Sequence, residues 1–332
     1  MKFGLFGGAL TGKGGSGDSL GYQRFIDYMC AADELGFHSI FVVEHHFTGI
    51  GQVSATLTLL ANLAARTKRI RLGTGVTVLP WHNPVLLAEQ IATLDLLSGG
   101  RADIGVGKGY RPKEFEGFDI PIEEAGERYE ENLDLLVASL TSQERFSHKS
   151  KHWSFNDIIV EPRPLQRPHP PIWVGAASPS SIARTAERGF NLLLDQWSTA
   201  SEIAGRVAHY RESRLAHGRS FVADQVGVTR SVKILDSDEE RTAAIQARAT
   251  FLIEAGAGGA KKPDSPEAAW RTAESSAVIG SSDQVIERIK ELQAGGVEYL
   301  LLSDAATSPS ALRRFAEEVM PEFADTPDLA LT

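Results

Sequence analysis

The sequence alternates a short apolar run with a longer amphipathic one, and it keeps that rhythm almost from end to end. "KFGLFGG" (2–8), "SIFVVEHH" (39–46), "IRLGTGVTVLP" (70–80) and "RADIGVGKGY" (101–110) read as strands. "PIWVGAA" (171–177), "NLLLDQW" (191–197), "QVGVTRSVKIL" (225–235) and "EYLLLSD" (298–304) continue the series. Helical patterns fall between them, at 21–37, 56–68, 84–100, 123–140, 180–190, 201–218, 238–256, 281–296 and 308–319. Strand runs this apolar suit a parallel sheet covered on both faces. Eight of them interleaved with helices predict an α/β chain forming a single (β/α)8 TIM barrel over residues 1–332, with an open doubly wound sheet as the runner-up. Two segments break the rhythm. Residues 141–170 predict an inserted hairpin or surface loop, and 255–277, rich in Gly, Ala, Lys and Pro, predicts a long loop that could serve as a lid.

Charge and cysteine content narrow the function classes. The balance of 34 basic and 43 acidic residues gives −9, and basic residues cluster only in short patches such as "RTKRIR", so nucleic-acid binding is not expected. No apolar run reaches the ~18 residues of a membrane span. The start, "MKFGLFGGAL", breaks its apolar run with glycines and lacks a secretory pattern. The one cysteine, Cys30, lies in an apolar helical pattern and reads as a buried thiol. A cytoplasmic location follows as the expectation. "GGALTGKGGSG" (7–17) resembles a phosphate-binding P-loop but puts Gly14 where Ser or Thr would hold magnesium, so nucleotide hydrolysis is not expected.

In such a barrel, chemistry collects where strands finish and loops begin. Glu44, His45 and His46 stand at one such end. Neighbouring side chains on a strand face opposite ways, so only one histidine can enter the cavity and the pair does not make a metal site. The alternative is a pair of hydrogen-bonded loop caps. "GAASPSSIARTAERG" (175–189) ends another strand and opens a helix with Ser178, Ser180 and Ser181. Hydroxyls and free amides at a helix start form an anion site, or an ordinary N-cap. No G-x-G-x-x-G with a downstream acidic residue marks a dinucleotide half.

"VVEHHFTG", followed by "RIRLGTGVTVLPWHNPVLLAEQIATLDLLSGGRADIGVGKGY", resembles the bacterial luciferase-like family of flavin-dependent monooxygenases. The resemblance covers roughly residues 1–200, with the segments in the family's order. It implies a barrel that binds FMN and uses the reduced form with O2 to oxygenate a small organic substrate. His45 stands at the catalytic histidine, and an imidazole suits proton handling near neutral pH. The resemblance also implies cofactor contacts from Thr74, Gly75 and Val76, with a non-proline cis bond between Gly75 and Val76. Lys108 and Arg128 match basic positions, although Lys108 replaces the family's usual arginine and loses its two-pronged fork. Ser178 and Ser181 match phosphate-contacting hydroxyls, and Ala177 replaces a glutamate, leaving its backbone as the contact. Reduced flavin from a separate flavin reductase and a homodimer are implied as well. The alternatives are a deazaflavin-dependent oxidoreductase on the same barrel and a non-catalytic flavin-binding partner subunit.

Overall fold

The computed structural model describes residues 1–9, 18–47, 53–255, 263–303 and 308–324. Eight parallel strands follow one another around a closed ring: β1 (Lys2–Gly7), β2 (Ser39–Val42), β3 (Arg71–Thr74), β4 (Ala102–Gly107), β5 (Ile172–Gly175), β6 (Asn191–Leu194), β7 (Val226–Ile234) and β8 (Tyr299–Ser303). β8 closes the ring on β1 with Lys2 opposite Tyr299 and Leu5 opposite Leu302. The expected (β/α)8 barrel is therefore the observed fold.

Two-residue alternation along the strands divides the core into an outer and an inner layer. Leu5, Ile40, Leu72, Ile104, Ile172, Leu192, Val228 and Leu300 point outward into the layer shared with the helices. Phe41, Trp173, Leu193, Tyr299 and Leu301 fill the inside of the ring. Large rings fit there because neighbouring strands carry glycines at the same level. A Cβ on Gly73 would lie 2.6 Å from the Phe41 ring, and one on Gly105 would lie 1.9 Å from the Thr74 carbonyl oxygen.

The N-terminal end of the ring is plugged by paired charge. Arg71 donates from Nε and Nη2 to the two oxygens of Asp103, at 2.6 and 3.1 Å, and Trp173 Nε1 donates to Asp103 at 3.1 Å. Ser39 and Tyr299 share a hydrogen bond across the ring. His38 lies beside this plug, and burial, assisted by the nearby Lys2 and Arg71 cations, pushes its imidazole down to about 4.

Several expectations are refined. β2 stops at Val42, so Glu44, His45 and His46 lie in the loop beyond it. The 141–170 insertion is an antiparallel hairpin, Phe146–Lys149 with Ser154–Ile158. Residues 255–277 are not one long loop: helix Pro266–Ser276 starts on a Ser265 cap and packs on helix Asp238–Ala255 around Ile245, Leu252 and Ala269. The Gly/Lys/Pro-rich residues before it masked that start. Residues 256–262 of this candidate lid, and 10–17 of the P-loop-like stretch, lie outside the described residues. No helix among the described residues is long and apolar enough to cross a membrane.

Candidate active site

The adjacent histidines are held by different carboxylates. His45 donates from Nδ1 to Glu114 Oε1 at 3.0 Å, and the same oxygen accepts the backbone N–H of His46 at 3.0 Å. His46 turns its Nε2 to Glu44 Oε1, also at 3.0 Å. One imidazole is thus drawn to each carboxylate. Glu114 comes from the short helix Pro112–Gly117, which the strand–helix rhythm did not reveal. Burial works to raise its carboxyl, but the bonds from His45 and the His46 backbone outweigh it and bring it below the usual range. An ionised carboxylate accepts only, so His45 carries a proton on Nδ1 and Nε2 is the ring nitrogen left for another partner. No hydrogen bond engages Nε2 among the described residues.

Glu44 is nearly buried and collects bonds from two loops. Its Oε1 accepts from His46, from Trp81 Nε1 at 2.9 Å and from His82 Nε2 at 2.7 Å, while Oε2 accepts the Val78 N–H at 3.1 Å. Burial would raise this carboxyl; the hydrogen bonds from His46 and His82, with Trp81 adding to them, bring it down to about 2. Around them Trp81, Phe115, Phe118 and Phe47 form a wall of rings with centroids 5.0–5.2 Å apart.

The turn after β3 lies beside this network. The Gly75–Val76 peptide bond is cis. Gly75 donates its N–H to Val42 O at 2.7 Å, tying the turn to the end of β2. The Thr74 hydroxyl is spent on the Gly105 carbonyl at 2.7 Å in the buried wall, so the side chain has no free donor for a ligand. Val76 reaches over the ends of β4 and β5: a Cβ on Gly107 or Gly175 would lie 2.5 or 3.4 Å from its methyl groups.

Next to these ends opens a cavity of about 740 Å³, between helices Ala125–Thr141 and Pro179–Arg188. Lys108, Ala177, Ser178 and Ser181 line it together, with Arg184 beside them. Ser178 caps the helix, its Oγ accepting the Ser181 N–H at 3.2 Å, and the Ser181 hydroxyl lies 2.9 Å from it. Lys108 is exposed and enters no ion pair among the described residues. This donor set suits a phosphate: helix-start amides, hydroxyls and an unspent cation face one concavity.

Arg128 is engaged elsewhere. It does not line the cavity; Glu124, one turn earlier on the same helical stretch, takes its guanidinium at 2.9 Å. Glu124 in turn accepts Lys151 Nζ at 3.0 Å from the inserted hairpin. The sequence alone did not single out Glu114, His82 or Asn132. Only "WHNP" carried a signal, since its polar pair precedes the Asn83 cap of helix Pro84–Leu97. Trp197, past the end of β6, stacks under the Arg248 guanidinium at 4.0 Å and against Phe251.

Comparison with known proteins adds an independent line. A family model described as luciferase-like monooxygenase matches residues 1–299. The oxygenase component of a flavin-dependent trigonelline monooxygenase from Acinetobacter baylyi is 29% identical, over 92% of this chain and 91% of the relative. The crystal structure of the monooxygenase RslO1 from Streptomyces bottropensis superposes with a TM-score of 0.81 at 26% identity, covering 98% of this chain and 100% of that one. The oxygenating constituent of 3,6-diketocamphane monooxygenase from Pseudomonas putida, solved with FMN, shares the fold with a TM-score of 0.81 at 21% identity, covering 97% of this chain and 98% of that one.

Proposed function

The chain belongs to the luciferase-like monooxygenase family and is a flavin-dependent monooxygenase, and from that premise we propose that it works as the oxygenase component of a two-component system. It receives reduced FMN from a separate reductase and uses O2 to oxygenate a small organic substrate. The observation that carries this reading is the His45–Glu114 pair at the barrel mouth, beside the cavity that gathers Lys108, Ser178 and Ser181.

These residues fit the cofactor by their chemistry. Ser178, Ser181, the Ala177 backbone and Lys108 would hold the phosphate, and the backbone of Thr74, Gly75 and Val76 would back the ring. When bound, reduced flavin supplies the electrons that activate oxygen; the protein supplies binding, orientation and exclusion of water. Glu114 fixes the His45 ring through Nδ1, which leaves Nε2 as the atom that takes or gives a proton. Arg128 has a part only if its pair with Glu124 opens.

Two further expectations have support. Helix Pro266–Ser276 and its partner helix build a small core of their own, with Trp197 packed against it, as a lid over the mouth requires. On helix Pro84–Leu97, Leu86 and Leu97 are 52% and 61% exposed, and Leu165 is 55% exposed, apolar side chains that a homodimer contact would cover. Sedimentation at micromolar concentration tests the dimer, and a monomer there removes it.

Anaerobic titration with reduced FMN and with a reduced deazaflavin tests the cofactor reading. FMN should bind the tighter, and substrate-dependent oxygen uptake should follow when air is admitted. Tighter deazaflavin binding without oxygen uptake would replace the proposal with hydride transfer on the same barrel.

A further inference from the structure

Glu44 takes more hydrogen bonds than the orientation of one neighbour requires. It is 4% exposed, and its four donors come from two loops. His46 follows β2, whereas Val78, Trp81 and His82 belong to the turn after β3. His46 is the residue next to His45, and Val78 is two positions beyond Val76. One carboxylate therefore bridges the histidine loop and the Thr74–Val78 backbone.

The turn is braced from behind as well. Asn132, itself buried, donates from Nδ2 to Leu79 O at 2.6 Å and to His82 O at 3.1 Å. Its Oδ1 accepts Trp153 Nε1, at 2.5 Å, from the inserted hairpin. A path of hydrogen bonds thus runs from the hairpin through Asn132 and His82 to Glu44 and the residue beside His45. Glu44 does not exchange protons near neutral pH, because its bonds hold it down to about 2 against the opposing effect of burial. Proton transfer is left to His45, and geometry to Glu44.

We propose that Glu44 is a positioning residue, which locks the loop carrying His45 to the Thr74–Val78 backbone and so keeps the imidazole and the flavin-facing turn in one fixed relation. This rests on the reading of His45 and flavin given above. The substitution that tests it is Glu44→Gln, which keeps the volume. A glutamine oxygen still accepts from the rings, but its amide nitrogen meets the Val78 N–H donor to donor.

Two readouts need no turnover: hydrogen exchange of the Val78 amide in flavin-free protein, and the Kd for reduced FMN. Loss of a bond to a charged acceptor predicts exchange about tenfold faster and FMN binding about tenfold weaker, in a protein that still folds. Asp33→Asn serves as the control. It removes a carboxylate that caps Lys68, Arg69 and Ile70 at the other end of the barrel, and it should leave the FMN Kd within about twofold.

A folded Glu44→Gln protein with unchanged Val78 exchange, or with no more loss of FMN affinity than the control, overturns the proposal. Should Glu44→Gln not fold, Trp81→Phe removes one donor and keeps the ring. Exchange at Val78 about threefold faster is then expected, and no change overturns the proposal. If the unmodified protein does not bind reduced FMN, the cofactor reading fails, while Val78 exchange still decides whether Glu44 joins the two loops.

Discussion

Both ends of the barrel bury carboxylates, but they give them different partners. At the N-terminal end Asp103 faces Arg71, a cation at every working pH, and Trp173 completes its bonding. At the C-terminal end Glu114 and Glu44 face imidazoles and backbone N–H groups. The first arrangement is closed: rings fill the space above it, and its charges have nowhere to go. The second leaves Nε2 of His45 without a partner among the described residues. A permanent cation stabilises; a titratable one can also act. The difference separates the part of the barrel that holds the fold from the part available for chemistry.

If that division is right, variants at the two ends should fail in different ways. His45→Ala should reduce turnover by about 10²–10⁴-fold, the usual worth of a general acid–base group, with little change in Tm. Steady-state oxygen uptake with a coupled substrate measures it, and retained turnover would remove His45 from its role. Arg71→Met should do the reverse. Leaving Asp103 buried without its partner costs about 3–5 kcal/mol, read by chemical denaturation, whereas reduced-FMN affinity of the folded fraction should hold. Ser178→Ala falls between them. Loss of the cap costs about 1 kcal/mol of stability, and reduced FMN should bind more weakly than to the unmodified protein, while the affinity for reduced riboflavin, which lacks the phosphate, should hold.

The smallest effect expected is in the pH dependence of stability, and it too distinguishes the ends. His38, beside the plug, is pushed from 6.5 to about 4 by burial and by Lys2 and Arg71. The unfolded chain therefore binds the extra proton first, and stability falls as pH drops from 6.5 towards 4. Glu44 at the mouth loses stability in the same direction but in a lower window: its depressed carboxyl contributes stability above 4.5 that is lost only as pH falls towards about 2. Tm measured across pH should decline by a few degrees before the mouth carboxylates begin to protonate, and His38→Gln should flatten that first decline. A decline unaffected by His38→Gln would place its origin elsewhere.

The barrel was legible because apolar runs report burial on both faces, and eight of them repeat with helices between. The mouth was legible only in part. Lys108, Ala177, Ser178 and Ser181 do converge on one cavity, because all lie just past the ends of β4 and β5. The pairing of Arg128 with Glu124, four residues earlier, was not legible, because a sequence match cannot weigh a neighbouring carboxylate against a distant ligand. Glu114 went unseen because its partner is 69 residues away and it sits in a short helix with little periodicity. Helix Pro266–Ser276 hid behind a Gly- and Lys-rich stretch, although Ser265 and Pro266 spell a helix start.

Everything at the mouth turns on where Nε2 of His45 points. A crystal structure of the protein with FMN tests it most directly. The phosphate should rest on Ser178, Ser181 and Lys108, the ring against the Gly75–Val76 backbone, and His45 Nε2 should face the ring while Nδ1 stays on Glu114. FMN bound elsewhere, or a His45 side chain turned away from it, would contradict the account.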